Sequence, residues 1–140
     1  MLEKFPSARD DILASVDLWA LGHGTASVFH LMRVVEHGLR AVAENVGKSF
    51  ETQNWQNIID EIEAEIRNLG KSLPRGTEKN DRLQFLSETA KEFVYFKDGW
   101  RNYVSHGRGL YDVYQARSVL EHVKAFMTTI SSRLSEPEGA

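Results

Sequence analysis

A helical spacing of apolar residues runs through nearly the whole chain, and it limits the possible folds more than any other feature. Val28, Met32, Val35, Leu39, Val42 and Val46 are separated alternately by four and three residues, which on an α-helix lays them in one stripe facing a core. Val113, Ala116, Leu120, Val123, Met127, Ile130 and Leu134 repeat the pattern toward the C-terminus. No stretch sustains the two-residue alternation of a half-buried strand, so the reading is all-α.

Turn residues divide this pattern into helices. The first is expected after Pro6, with Ser7 as N-cap, Asp10 three residues on, and Ile12, Val16 and Trp19 inward, ending at Gly22-His23-Gly24. That glycine pair reads as a helix–helix turn. The second helix begins near Thr25 and ends at Gly47. A third carries Trp55, Ile59, Ile62, Ile66 and Leu69 to Gly70, and residues 71–80, with Pro74 and Gly76, form the long polar connection where a mobile loop is expected. A fourth runs from about Asp81 with Leu83, Leu86, Ala90, Phe93, Trp100 and Val104 inward, and a fifth starts at the N-cap Asp112. The expected architecture is a single domain over 1–134, a bundle of four long helices plus a shorter N-terminal one, followed by a flexible tail over 135–140.

Composition narrows the chemistry. With 140 residues, 41% hydrophobic, and seven Phe, four Tyr and three Trp, the chain can close one core. The absence of cysteine excludes thiol catalysis, disulfides and Cys-ligated metal. Di-iron bundles use Glu-x-x-His pairs, but Ala20, Ser27, Val34, Tyr103 and Val119 stand three residues before the five histidines. No metal and no cofactor are therefore expected. A formal charge of -3 argues against non-specific polyanion binding, so a nucleic-acid contact needs a local patch. No apolar run approaches the ~18 residues of a membrane span, and Met1-Leu2-Glu3-Lys4-Phe5-Pro6 lacks a signal-peptide layout. A cytoplasmic protein without membrane association is expected.

Two groups of polar residues stand out. His30, Arg33, His37, Arg40 and Glu44 form a stripe on the second helix, with Glu36 one turn from Arg33. This reads either as a basic wall for an anion such as RNA phosphate or as a solvated face with an intrahelical ion pair. The segment Trp100-Arg101-Asn102-Tyr103-Val104-Ser105-His106-Gly107-Arg108-Gly109 gathers two cations, an imidazole, an amide and a hydroxyl at one helix end. Cations also gather there simply because the helix dipole is negative. On a regular helix Asn102 and His106 share a face, whereas Arg101 and His106 diverge by about 140°. Either the helix loosens near Ser105 or two chains complete one site.

Arg101-Asn102-Tyr103-Val104-Ser105-His106 resembles the Arg-Asn-x-x-x-His signature of the HEPN superfamily, small all-α domains. A second Arg-x4-His, Arg117 to His122, lies inside the most regular helix with apolar residues interleaved and reads as a chance match. The aromatic before Arg101, the glycines after His106, Tyr111-Asp112 opening the last helix, and the run from Val28 to Arg40 extend the likeness to nearly the whole chain. The resemblance implies a HEPN-like bundle and a metal-independent endoribonuclease, a toxin or antiphage defence effector that homodimerises and answers to an antitoxin or inhibitor protein. It implies cleavage of RNA by its own 2′-hydroxyl. His106 would shuttle protons, Arg101 hold the phosphate and Asn102 orient His106, with Ser105, Arg108, Arg33 and Glu36 as RNA contacts. One subgroup has a Tyr two residues after the motif His and is silenced by a nucleotidyltransferase; here Arg108 stands at that position. The alternative is a non-catalytic HEPN-like module that binds a protein or nucleotide partner.

Overall fold

The computed structural model describes residues 1–48, 55–72, 76–106 and 111–138, with the side chains of Ser72 and of 101–106 outside the description. All the regular structure of the described residues is helical, and they contain no strand. A short 3-10 turn, Pro6–Ala8, leads into α1 (Arg9–Ala20), α2 (Gly24–Asn45), α3 (Trp55–Ser72), α4 (Thr77–His106) and α5 (Val113–Ser131). No helix among the described residues is long and apolar enough to cross a membrane.

α2 forms the spine. All six of its expected seam residues are buried, together with Leu31 and Val34. Its width of apolar surface explains its position: α1 and α5 pack on it, while α3 pairs with α4 and closes the remaining side. Phe93 of α4 meets Phe126 of α5 edge to face at 5.1 Å and Trp55 of α3 at 6.5 Å, an aromatic joint between the two halves of the bundle. Truncating a fully buried leucine such as Leu39 to Ala is worth ~2–5 kcal/mol of stability.

The caps show where local signals hold. Asp112 opens α5 with a full capping box, its carboxylate accepting from Gln115 N at 2.7 Å while Gln115 Oε1 accepts from Asp112 N at 3.0 Å. Ser7 does not cap α1. The chain first makes the 3-10 turn, α1 begins at Arg9 without a side-chain cap, and the Ser7 hydroxyl instead donates to Glu136 Oε1 at 3.0 Å. Glu136 N also donates to Lys4 O, so residue 136, within the expected tail, is docked against the N-terminus.

α1 packs Ile12 and Trp19 against the core as expected, but not Val16. Val16 is 41% exposed, while Asp11 and Ser15 are buried. Small polar residues win there because Ser27 of α2 donates to Ser15 O at 2.7 Å, which draws the two helices close. The connection between α3 and α4 is also shorter than expected, since α3 continues to Ser72 and α4 starts at Thr77. Lys71, Glu78 and Lys79 are good helix formers, and only Pro74 and Gly76 interrupt the pattern.

Candidate functional site

Three elements converge at the end of α4. Trp100 stacks on Tyr111, with rings 6.3 Å apart and 10° from parallel, and lies 6.3 Å from Phe29 of α2. Tyr111 is held in turn, because its N–H donates to Thr25 Oγ1 at 2.9 Å. The turn between α1 and α2 makes this possible. Gly22 adopts φ +84, and Gly24 lies so close to the carbonyls of Tyr111 and Asp112 that a Cβ would overlap them.

Arg101, Asn102, Ser105 and His106 occupy the last two turns of α4, directly after Trp100. Their side chains, and Arg108 as a whole, lie outside the described residues. The backbone settles one question that the spacing leaves open. α4 remains helical through His106, so loosening near Ser105 does not bring the Arg101 and His106 positions to one face, and they stay about 140° apart.

Arg33 and Glu36 do not pair with each other. Arg33 Nε donates across to Asp11 Oδ1 of α1 at 2.9 Å, and His30 Nδ1 meets the same oxygen at 2.8 Å. A carboxylate only accepts, so the imidazole carries its proton on Nδ1. Burial pushes the Asp11 carboxyl upward, but the hydrogen bonds from His30 and Arg33 outweigh it and hold the group below the ordinary carboxylate value. One helical turn away, burial and then the charge of Arg40 lower His37. The first two members of the stripe, His30 and Arg33, are therefore tied to α1, while Glu44 at its far end is exposed. His30, Arg33 and Asp11 form a half-buried network anchored by a residue of another helix.

Glu36 turns the other way and accepts from Trp55 Nε1 of α3 at 3.1 Å. Phe29, Met32, Trp55, Phe96 and Trp100 form the apolar walls of a cleft of about 250 Å³, with Arg33, Glu36 and Lys97 as its polar members. Lys97 is itself steadied by Gln56 Oε1. The two α2 residues expected to meet RNA thus share one cleft with the tryptophan that precedes Arg101. Sequence reasoning missed Asp11, Phe29, Trp55 and Lys97. Asp11 carried a signal, an acidic residue one position from the predicted inward face, whereas nothing local marked Trp55 as the partner of Glu36.

No protein-family model matches the chain, and neither a curated protein nor a solved structure matches it at a significant level. Chemistry alone must therefore indicate what this cleft does. It combines flat aromatic surface, which suits base stacking, with fixed cations that suit phosphate. Among the described residues no three of His, Asp and Glu are grouped to hold a metal ion.

Proposed function

We propose that this protein is a HEPN-type, metal-independent endoribonuclease that works in the cytoplasm as a toxin or antiphage effector. What carries the reading is the unbroken course of α4: the Arg-Asn-x-x-x-His string falls in its final turns, beside a cleft that holds Trp100, Phe29 and the anchored cation Arg33.

RNA supplies its own nucleophile, the 2′-hydroxyl, so the protein needs a proton shuttle and a counter-charge for the developing phosphorane. In this reading His106 gives and takes the proton, the role an imidazole can fill near neutral pH. Arg101 holds the phosphate with its planar fork. Asn102, one turn before His106, orients the imidazole, and Ser105 and Arg108 touch the RNA chain. The separation of the Arg101 and His106 positions on a regular helix calls for two chains, so that a homodimer completes each site. A cognate antitoxin or inhibitor protein would act by covering this end of the bundle.

The direct test is RNA cleavage by the wild-type chain and by Arg101→Ala and His106→Ala. Wild type should cut in excess EDTA, leave a 2′,3′-cyclic phosphate, and spare a substrate with one 2′-deoxy sugar at the cut position. Mixing the two inactive variants should restore part of the activity through shared sites. If wild type leaves RNA intact, the ribonuclease reading falls in favour of a non-catalytic module binding a protein or nucleotide.

A further inference from the structure

We propose that the cleft between α2, α3 and α4 is a guanine subsite, read by the carboxylate of Glu36. The inference rests on the ribonuclease reading for the polymer that carries the base, but the binding it describes does not require cleavage.

Size comes first. At about 250 Å³ the cleft is below the ~300–1,000 Å³ typical of pockets for drug-sized ligands, a scale that suits one planar ring system. Its walls are flat and aromatic, with Phe29, Trp55 and Trp100 among them. Aromatic walls with a carboxylate could also cage an organic cation. Arg33 and Lys97 at the same cleft, paired with Asp11 and Asp98, supply charged donors suited to an anion, which an organic cation would leave unused. The set fits a neutral ring bearing hydrogen-bond donors and joined to an anion, which describes a nucleotide.

The polar groups then choose among the bases. Trp55 Nε1 fixes Glu36 by donating to Oε1, and a carboxylate has about four acceptor sites, so the group can still take two parallel donors. Guanine alone presents two adjacent donors, N1–H and the N2 amine, spaced for a bidentate carboxylate. Adenine and cytosine each offer one amine beside a ring acceptor, which would face the second carboxylate oxygen. Uracil offers a single N–H between two carbonyls. Arg33, with Nε tied to Asp11 and a side chain 56% exposed, is placed to hold the attached phosphate.

The test is a titration of the full chain with GMP, AMP, CMP and UMP, followed by tryptophan fluorescence, since Trp55 and Trp100 line the cleft. GMP should bind at least tenfold more tightly than AMP. Glu36→Gln, which keeps the side chain's shape, should weaken GMP at least tenfold and change AMP by less than twofold, with an unchanged thermal melt. Equal binding of the four nucleotides, or a GMP preference that survives Glu36→Gln, overturns the proposal. Mapped cuts on a mixed-sequence RNA separate this inference from the reading beneath it. Cuts clustered beside guanine, redistributed in Glu36→Gln, support the subsite; cuts without base preference overturn it while the ribonuclease reading stands. A GMP preference that depends on Glu36 in a protein that cuts nothing supports the subsite and removes the ribonuclease.

Discussion

The chain contains the string Arg-x4-His twice, and the two copies lie in different parts of the bundle. In the middle of α5, Arg117 Nε donates to Glu121 at 3.1 Å along the same helix, and its guanidinium lies 5.3 Å above the Trp19 ring. His122 Nε2 sits 2.8 Å from Glu92 of α4, and its ring stacks on Tyr95 at 4.6 Å. Both groups are engaged in joining helices. The α4 copy occupies a helix end, beside the cleft of Trp100 and a cation network built by α1 and α2, whereas His122 lines a separate cleft with Glu92 and Phe126. Six-residue strings carry no chemistry of their own. Neighbouring helices hold the α5 copy in ties between elements, whereas the α4 copy is the one proposed as the working string.

The sharpest way to break this contrast is to remove each histidine in turn. His106→Ala should lower RNA cleavage by about 10²–10⁴-fold, the usual contribution of a proton-transferring group, and move the melting temperature by only a few degrees. His122→Ala should leave cleavage near wild type. The opposite outcome in a cleavage assay would mean that the α5 copy is the working one.

The network beside the α4 copy should matter next. Asp11→Ala strips a 12%-exposed carboxylate from His30 and Arg33, and should cost about 1–3 kcal/mol in urea unfolding. It should also weaken RNA binding, because Arg33 loses its anchor, and Asp11→Asn should recover part of the stability but less of the binding. An unchanged unfolding midpoint would show that the network is ornamental. The tie of the α5 copy should be weaker. Glu92 and His122 are each about 40% exposed, so Glu92→Gln should change stability by ~0–1 kcal/mol.

The smallest effect is a slope with pH. The folded state holds His37 below its ordinary value, so the unfolded chain takes up that proton first, and stability should begin to fall as pH drops below 6.5. Asp11, also lowered, contributes stability that is present above 3.8 and is lost as pH falls through its folded value. His37→Gln should flatten the first part of this decline in urea midpoints measured between pH 7 and 5, and an unchanged slope would remove His37 from the account.

Much of the fold is readable from the chain. The seams of α2 and α5 and the Asp112 N-cap were legible because each depends on residues three or four apart, within reach of one turn of helix; the reciprocal bond from Gln115 that completes the box came with the structure. What lay beyond reach involves separations no helical turn can bridge: Asp11 with Arg33, Glu36 with Trp55, Ser7 with Glu136, Trp100 with Tyr111. On α1 the spacing placed Ile12 and Trp19 correctly, but Val16 is exposed while Ser15, packed close against Ser27, is buried. Helical period and caps are short-range, so amino-acid order alone determined the helices, their inward stripes on α2 and α5, and the place of the Arg-x4-His strings. Which cations are anchored, which carboxylate faces the cleft and which copy borders it depend on how separate helices dock, and that was set only when the bundle closed.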